Sequence, residues 1–274
     1  MGGAERRTQV LHHRMLSDEE IGRIAPSVFA TGPSARVSAR YGFVSTADVL
    51  TGLRAADWGV TSVQVSRVRE AGERPFARHF LRLRREGEPM LRIVGDSVPE
   101  VIVVNDHRGG STFRLYAGIY RLVCANGMVV GCDAFTARIR HLIHNVAGVV
   151  AEAERISLKM GDLADLVGEF RDLALNRGQR VAFAEQALAL RYPAPGTAPI
   201  EGADLLRPRR WEDEGANLWT TFNVVQENLV RGGIATGRTG HRQRRATLAL
   251  RGAQREFALN ADLWHLAEST LRAA

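Results

Sequence analysis

The spacing of apolar positions changes along the chain, and each change marks an element. Over residues 46–58, Val49, Leu50, Leu53 and Ala56 recur at helical spacing, with Asp48 in the first turn and Gly59 just past the expected end. Four short runs follow, at 62–70, 76–86, 90–94 and 98–105, parted by Gly72, by Gly87-Glu88-Pro89 and by Gly95-Asp96. They predict an antiparallel meander. The densest apolar stretch is 113–132, in which Phe113, Tyr116, Ala117, Tyr120, Val123 and Cys124 recur with helical spacing. It predicts a helix over 113–124, a tight turn at Asn126-Gly127 and a short strand over 128–130. Residues 135–145 alternate as a further strand.

Val149, Ala153, Ile156, Met160, Leu163, Val167, Phe170 and Ala174 are spaced four and three residues apart, so a long helix from near 146 to 175 is predicted. Its apolar seam calls for a partner, either a helix over 179–192 or a second copy of the chain. Pro193, Pro195, Gly196 and Pro199 read as a linker. Beyond it, Leu218, Trp219, Phe222, Val225 and Leu229 form the buried stripe of a helix over 215–231, closed by Gly232-Gly233. A last helix, capped by Asn260, carries Leu263, Trp264 and Leu271. At the other end, Ser17-Asp18-Glu19-Glu20 resembles a helix start.

The expected fold class is therefore α+β: an antiparallel meander packed on helices, with a long helix and a helical C-terminal region. The expected organisation is an N-terminal arm (1–40), an α+β core (41–192), a proline-rich linker (193–200) and a C-terminal helical region with a basic loop packing on the core (201–274).

Composition narrows the class. The 274 residues are 45% hydrophobic, enough for a substantial core, and no run reaches the eighteen or so apolar residues of a membrane span. With no secretory signal at the N-terminus, a cytoplasmic protein without a membrane partner is expected. Two cysteines, Cys124 and Cys132, cannot build a disulfide framework. With His141 and His144 they are the best candidates for a metal, but they lack the close cysteine pairs of ordinary zinc sites. The expectation is no metal, no cofactor and no catalytic residue, since no metalloprotease helix, paired-carboxylate motif or phosphate-loop lysine is present.

Charge adds a candidate chemistry. There are 37 basic and 30 acidic residues, a net +7, and Lys159 is the only lysine. A GC-rich genome would also favour arginine, so the distribution is more informative than the total. Residues 228–255 contain seven arginines and no acid. Alternation over 76–86 places Phe76, Arg78, Phe80, Arg82 and Arg84 on one face, where rings could stack bases and guanidiniums track phosphates. A sheet with solvated arginines is the simpler alternative. Arg114 and Arg121, either side of Gly118, together with Arg138, Arg140 and Arg231, would extend a basic surface. The loop of Arg238, Arg242, Arg244 and Arg245 would supply further charge.

Five motifs, VPEVIVVNDHRGG at 98–110, YRLVCANGMVVG at 120–131, RIRH at 138–141, LWTTFNVVQENLVRGG at 218–233 and LNADLW at 259–264, resemble the phage/plasmid-like family catalogued as domain of unknown function 932. The chain departs from that pattern at 106–109, where Asp-His-Arg-Gly stands for the more usual Ser-His-Asp-Gly. The resemblance implies a setting in mobile-element DNA biology and supplies no catalytic residue. It leaves Asn105, His107, Asn126, Gly127, Asn223, Gln226, Glu227, Asn228, Gly232 and Gly233 as motif positions of unassigned role. A meander backed by a helix is also similar, at fold level, to phage single-strand annealing proteins.

Three functions are therefore open. The leading expectation is sequence-independent binding or annealing of single-stranded DNA, with a possible homo-oligomer. The others are a non-enzymatic regulator that binds duplex DNA or a host protein, and a metal-dependent nucleic-acid-processing enzyme.

Overall fold

A computed structural model describes residues 14–38, 41–85, 97–111, 113–121, 126–130, 136–139, 146–236 and 246–274. Contacts divide the chain into two units. The first comprises Met1–Arg92, Ser97–Gly127 and Phe135–Leu158, and the second Ile93–Asp96, Met128–Ala134 and Lys159–Ala274.

The first unit opens with α1 (Asp18–Ile24), whose N-terminus is fixed by a reciprocal cap between Ser17 and Glu20, as the sequence indicates. A 3-10 turn (Pro26–Phe29) follows. Ile21, Ala25 and Val28 are buried, so much of the segment read as an arm packs into the unit. In α2 (Thr46–Ala55) the expected Val49, Leu50 and Leu53 are buried. The helix stops short of Trp58: Asp57 takes a positive φ of 64° and turns the chain into β1 (Trp58–Val65), so Gly59 lies within a strand.

β2 (His79–Arg85), β3 (Ser97–Asn105) and β4 (Phe113–Arg121) continue an antiparallel meander. β5 (Asn126–Val129) and β6 (Thr136–Ile139) complete a sheet of order β1-β2-β3-β4-β5, with β6 antiparallel to β4. Phe76 ends a 3-10 turn (Ala71–Phe76) rather than starting β2. The 90–94 run lies outside the described residues.

Two expectations are corrected here. Residues 113–121 form a strand, not a helix, and Asn126-Gly127 belongs to β5 rather than to a tight turn. The cause is burial on both faces. Phe113 and Leu115 through Ala117 are all buried, as is Ile119, and a strand covered on both sides loses the alternation that would distinguish it from a buried helix. Pairing with β3 from Val104↔Arg114 to Ser97↔Arg121 decides the outcome.

α3 (Val146–Leu158) packs on β3, β4, β6 and α2 through Val149, Ala153 and Ile156. Gly52 permits the close approach of α2, because a Cβ there would lie 2.6 Å from a Val146 methyl. The long helix is interrupted at Lys159, and α4 (Met160–Asp172) begins after it. The seam residues up to Phe170 are buried as expected. They belong to two helices, and each half finds its partners within its own unit.

In the second unit α4 packs on α6 (Leu218–Arg231) and α7 (Ala253–Arg272), not in a hairpin with α5 (Arg177–Arg191). α5 instead packs on α6, α7 and a 3-10 turn at Gly202–Leu206. Asn176 caps α5 and Asn217 caps α6, each through a side-chain oxygen that accepts a backbone N–H. The rings of Phe170 and Phe222 lie 5.3 and 5.9 Å from that of Trp264 and form the aromatic centre of the unit. Asn260 lies inside α7 rather than at its start. Among the described residues, no helix is long and apolar enough to cross a membrane.

Candidate nucleic-acid interface

The face of β2 expected to stack bases has the predicted parity but not the predicted openness. Cross-strand register puts Phe80, Arg82 and Arg84 on one side of the sheet with Val104, Ile102 and Glu100 of β3. Glu100 is buried and accepts from Arg82 Nη1 at 2.8 Å and from Arg84 Nε and Nη2 at 3.0 and 2.7 Å. Phe80 is buried as well, and Phe76 is half-buried outside the strand. The open aromatic and arginine platform is thus a correction. A single carboxylate from the neighbouring strand draws two guanidiniums into an internal ion triad, which strand alternation alone does not reveal. Substituting Phe80 would act on packing rather than on a stacked base.

Arg114 Nη1 donates to the Tyr116 hydroxyl at 3.2 Å on the same face. Arg121 and Arg138 stand opposite Ser97 and Arg114 in the strand register. Arg140, like Cys124, Cys132, His141 and His144, lies outside the described residues. Among those that are described, no group of three or more His, Cys, Asp or Glu side chains is gathered as for a metal ion.

The 105–110 motif is built from the inside. Asn105 Nδ2 donates to the Thr46 hydroxyl at 2.9 Å and to the Val44 carbonyl at 3.0 Å. Thr46 Oγ1 lies 2.9 Å from His79 Nε2 and 3.5 Å from His107 Nε2. On its other side, His79 Nδ1 is 3.1 Å from the Ala77 carbonyl and 3.0 Å from Ser27 Oγ. A carbonyl can only accept, so the proton sits on Nδ1 and the Thr46 hydroxyl donates to Nε2. Burial, reinforced by His107 with its ring centroid 5.3 Å away, pushes the His79 pKa down to about 3, so the ring is neutral.

Asp106 accepts from Arg78 Nε at 3.2 Å and from the Arg108 backbone N–H at 3.1 Å, and its carbonyl accepts from the Tyr41 hydroxyl at 2.8 Å. Burial, with the charge of Asp106, raises the Tyr41 pKa to about 12. Arg78 also donates to the Gly110 carbonyl at 3.0 Å, so this arginine braces the loop. Of residues 105–108 only Arg108 is not buried.

Arg108 reaches a cleft of about 300 Å³ lined also by Arg36, Arg67, Val68, Arg69, Glu70 and Glu73. Arg36 pairs with Glu70 and stands 3.4 Å from Glu73, which in turn accepts from the Ser34 hydroxyl at 3.0 Å. Arg67 and Arg69 are exposed and, among the described residues, make no hydrogen bond or ion pair. Sequence reasoning missed this group. Arginines two apart at the end of the 62–70 run were its one local signal; Arg36 and Arg108 arrive from elsewhere in the chain.

The NVVQEN motif of α6 is equally internal, and the side that reads as polar is buried too. Glu227 takes Arg210 through both carboxylate oxygens, at 2.5 and 2.6 Å, and lies 3.1 Å from Arg231 Nη1. Asn228 donates to the carbonyls of Leu205 and Arg207 at 2.8 and 2.9 Å and accepts from Arg209 Nε at 2.8 Å. Gln226 Nε2 donates to Asn260 Oδ1 at 2.8 Å, and Asn223 Nδ2 to the Trp219 carbonyl at 2.7 Å. These side chains fasten residues 205–210 and α7 to α6.

Arg238, Arg242, Arg244 and Arg245 lie outside the described residues, but the chain on either side is tied together. Ala235 and Ala246 form an antiparallel bridge, Gly233 N–H donates to the Thr247 carbonyl at 2.7 Å, and Thr247 N–H to that of Ile234 at 2.8 Å. Gly232, at φ 62°, makes the junction with α6 possible, since a Cβ there would lie 2.5 Å from the Leu248 carbonyl carbon.

The family model for a domain of unknown function (DUF932) matches residues 33–264. Two Escherichia coli proteins are similar over nearly the whole chain. UPF0380 protein YafZ is 37% identical over 262 residues, 94% of this chain and 92% of its own length. UPF0380 protein YfjQ is 34% identical over 258 residues, with the same two coverages. No solved structure matches.

Proposed function

The chain belongs to this family of unknown function, and we propose that it binds single-stranded DNA without regard to sequence and without catalysing a reaction, as a holding or annealing protein of a mobile element. The mobile-element setting is what the resemblance to phage and plasmid-like proteins implies. One observation carries the reading: the flanks of the 237–245 segment are tied at the end of α6, and by sequence that segment holds four arginines and no acid. Backbone phosphates supply most of the affinity in sequence-independent binding, and such a segment offers cations without a competing carboxylate.

The test is fluorescence anisotropy of a labelled oligonucleotide across a salt series, with duplex of equal length as control. Replacing Arg238, Arg242, Arg244 and Arg245 with Ala is expected to reduce the dependence of log affinity on log salt by roughly 3 units, at about 0.7 per phosphate contact. Preference for duplex would move the reading to a regulatory protein. Failure to bind either form at low salt would end it.

A further inference from the structure

We propose that the cleft formed by Arg36, Arg67, Arg69 and Arg108 is a phosphate-binding subsite. It deepens the reading above by naming a place where one phosphate of the strand is held, and it rests on that reading only for the identity of the strand.

The argument is one of charge and rigidity. Four guanidiniums and two carboxylates line this cleft; Arg36 engages both carboxylates, and Arg108 Nε stands 3.5 Å from Asp106 behind it. Arg67 and Arg69 are left uncompensated in the same concave space, among the described residues. Like charges gathered in a cleft raise the local potential, which an anion relieves. Guanidinium is the donor whose planar fork matches phosphate oxygens two at a time.

Two of the four cations are also held in place before any ligand arrives. Arg36 is clamped by Glu70 and Glu73, with Ser34 bonded behind Glu73. Arg108 follows Asn105, Asp106 and His107, which are locked into the buried network; its backbone N–H is bound by Asp106, and its Nε stands 3.5 Å from the same carboxylate. Fixed donors lose less freedom on binding than mobile ones. At about 300 Å³ the cleft is at the small end of ligand pockets, and Val68 is its one apolar lining residue. Its arginine lining suits a phosphate group, with the rest of a strand running outside it.

The phosphate could come from a strand or from a small molecule, and two measurements on the full-length protein separate these sources. The first is calorimetric titration of pyrophosphate into the protein and into the Arg67→Ala/Arg69→Ala variant. Both side chains are exposed and bonded to nothing described, so the variant should keep its Tm, which is measured alongside. Pyrophosphate binding should weaken about tenfold or more, the scale expected when charge-assisted hydrogen bonds are lost. The second is the oligonucleotide salt series, in which the same variant should lose about 1.4 units of slope, two contacts at about 0.7 each.

Loss of pyrophosphate binding with an unchanged DNA slope would keep the subsite but assign it to a free phosphate compound. Pyrophosphate binding by a protein that binds no DNA would likewise keep the subsite while removing the single-strand reading. No pyrophosphate binding by the unaltered protein, or equal binding by the variant, would overturn the proposal even if DNA binding persists.

Discussion

Replacing Glu100 with Ala is expected to destabilise the protein by about 3–5 kcal/mol, the cost of removing one partner from a buried charge cluster. Arg84 retains 7% of its side-chain exposure and Arg82 13%, so neither guanidinium can recover full hydration without distorting the sheet. The cost arises from what is left behind more than from the bonds themselves, and this distinction can be measured. Glu100→Gln keeps the shape and an acceptor while removing the charge, and should lie between the parent and the Ala variant. Replacing all three members with apolar residues of similar volume should cost far less than Glu100→Ala alone, since the two guanidiniums are then removed together with their carboxylate. Urea unfolding midpoints check the series. An Ala variant within about 1 kcal/mol of the parent, the range of exposed pairs, would show that the triad is solvated in solution.

Acid should weaken the protein well before its carboxylates titrate. His79 has a folded pKa of about 3, below its ordinary 6.5, because burial and the neighbouring His107 oppose the charged ring. Between those values the unfolded chain binds a proton that the folded chain refuses, so stability rises with pH there. The contribution is complete above about pH 6.5 and is lost as pH falls toward about 3, at about 1.4 kcal/mol per pH unit. Several kcal/mol are at stake. His79→Gln should be less stable near neutrality, because Ser27 and Thr46 lose a well-placed partner, yet its stability should decline less steeply over the upper part of this window. Urea midpoints from about pH 7 to about pH 4.5 test this. Parallel declines in parent and variant would remove His79 as the cause.

Much of the fold was legible where local chemistry decides it. Ser17 and Glu20 announced α1, the alternation at 76–86 assigned the two faces of β2, and the stripe from Leu218 to Leu229 found α6. Residues 113–121 were not legible as a strand, because their apolar character is set by cover on two faces and their pairing partner begins at Ser97. The seam through Ile156 and Met160 reads as one helix because spacing records which side is buried and not whether the axis continues. The candidate site was harder still. Arg82 and Arg84 look like a polyanion surface until Glu100 is placed beside them. Arg67 and Arg69 carry no local mark that separates them from the paired arginines. What distinguishes them is that, among the described residues, neither forms an ion pair although Glu70 and Glu73 line the same cleft, a property of the assembled unit.

The buried hydroxyls of Ser27 and Thr46 impose an order on how the first unit is completed. Its strands β1 to β4 follow one another in the chain, so each hairpin closes over a short span. The polar links do not: Ser27 waits for His79, 52 residues on, and Thr46 for Asn105, 59 residues on. On a ribosome, which delivers the N-terminus first, α1 and α2 emerge long before the groups that satisfy them. Until His79 has cleared the exit tunnel the Ser27 hydroxyl remains bonded to water, and until Asn105 follows the Thr46 hydroxyl lacks its second partner, so the N-terminal helices have no finished surface against which to settle.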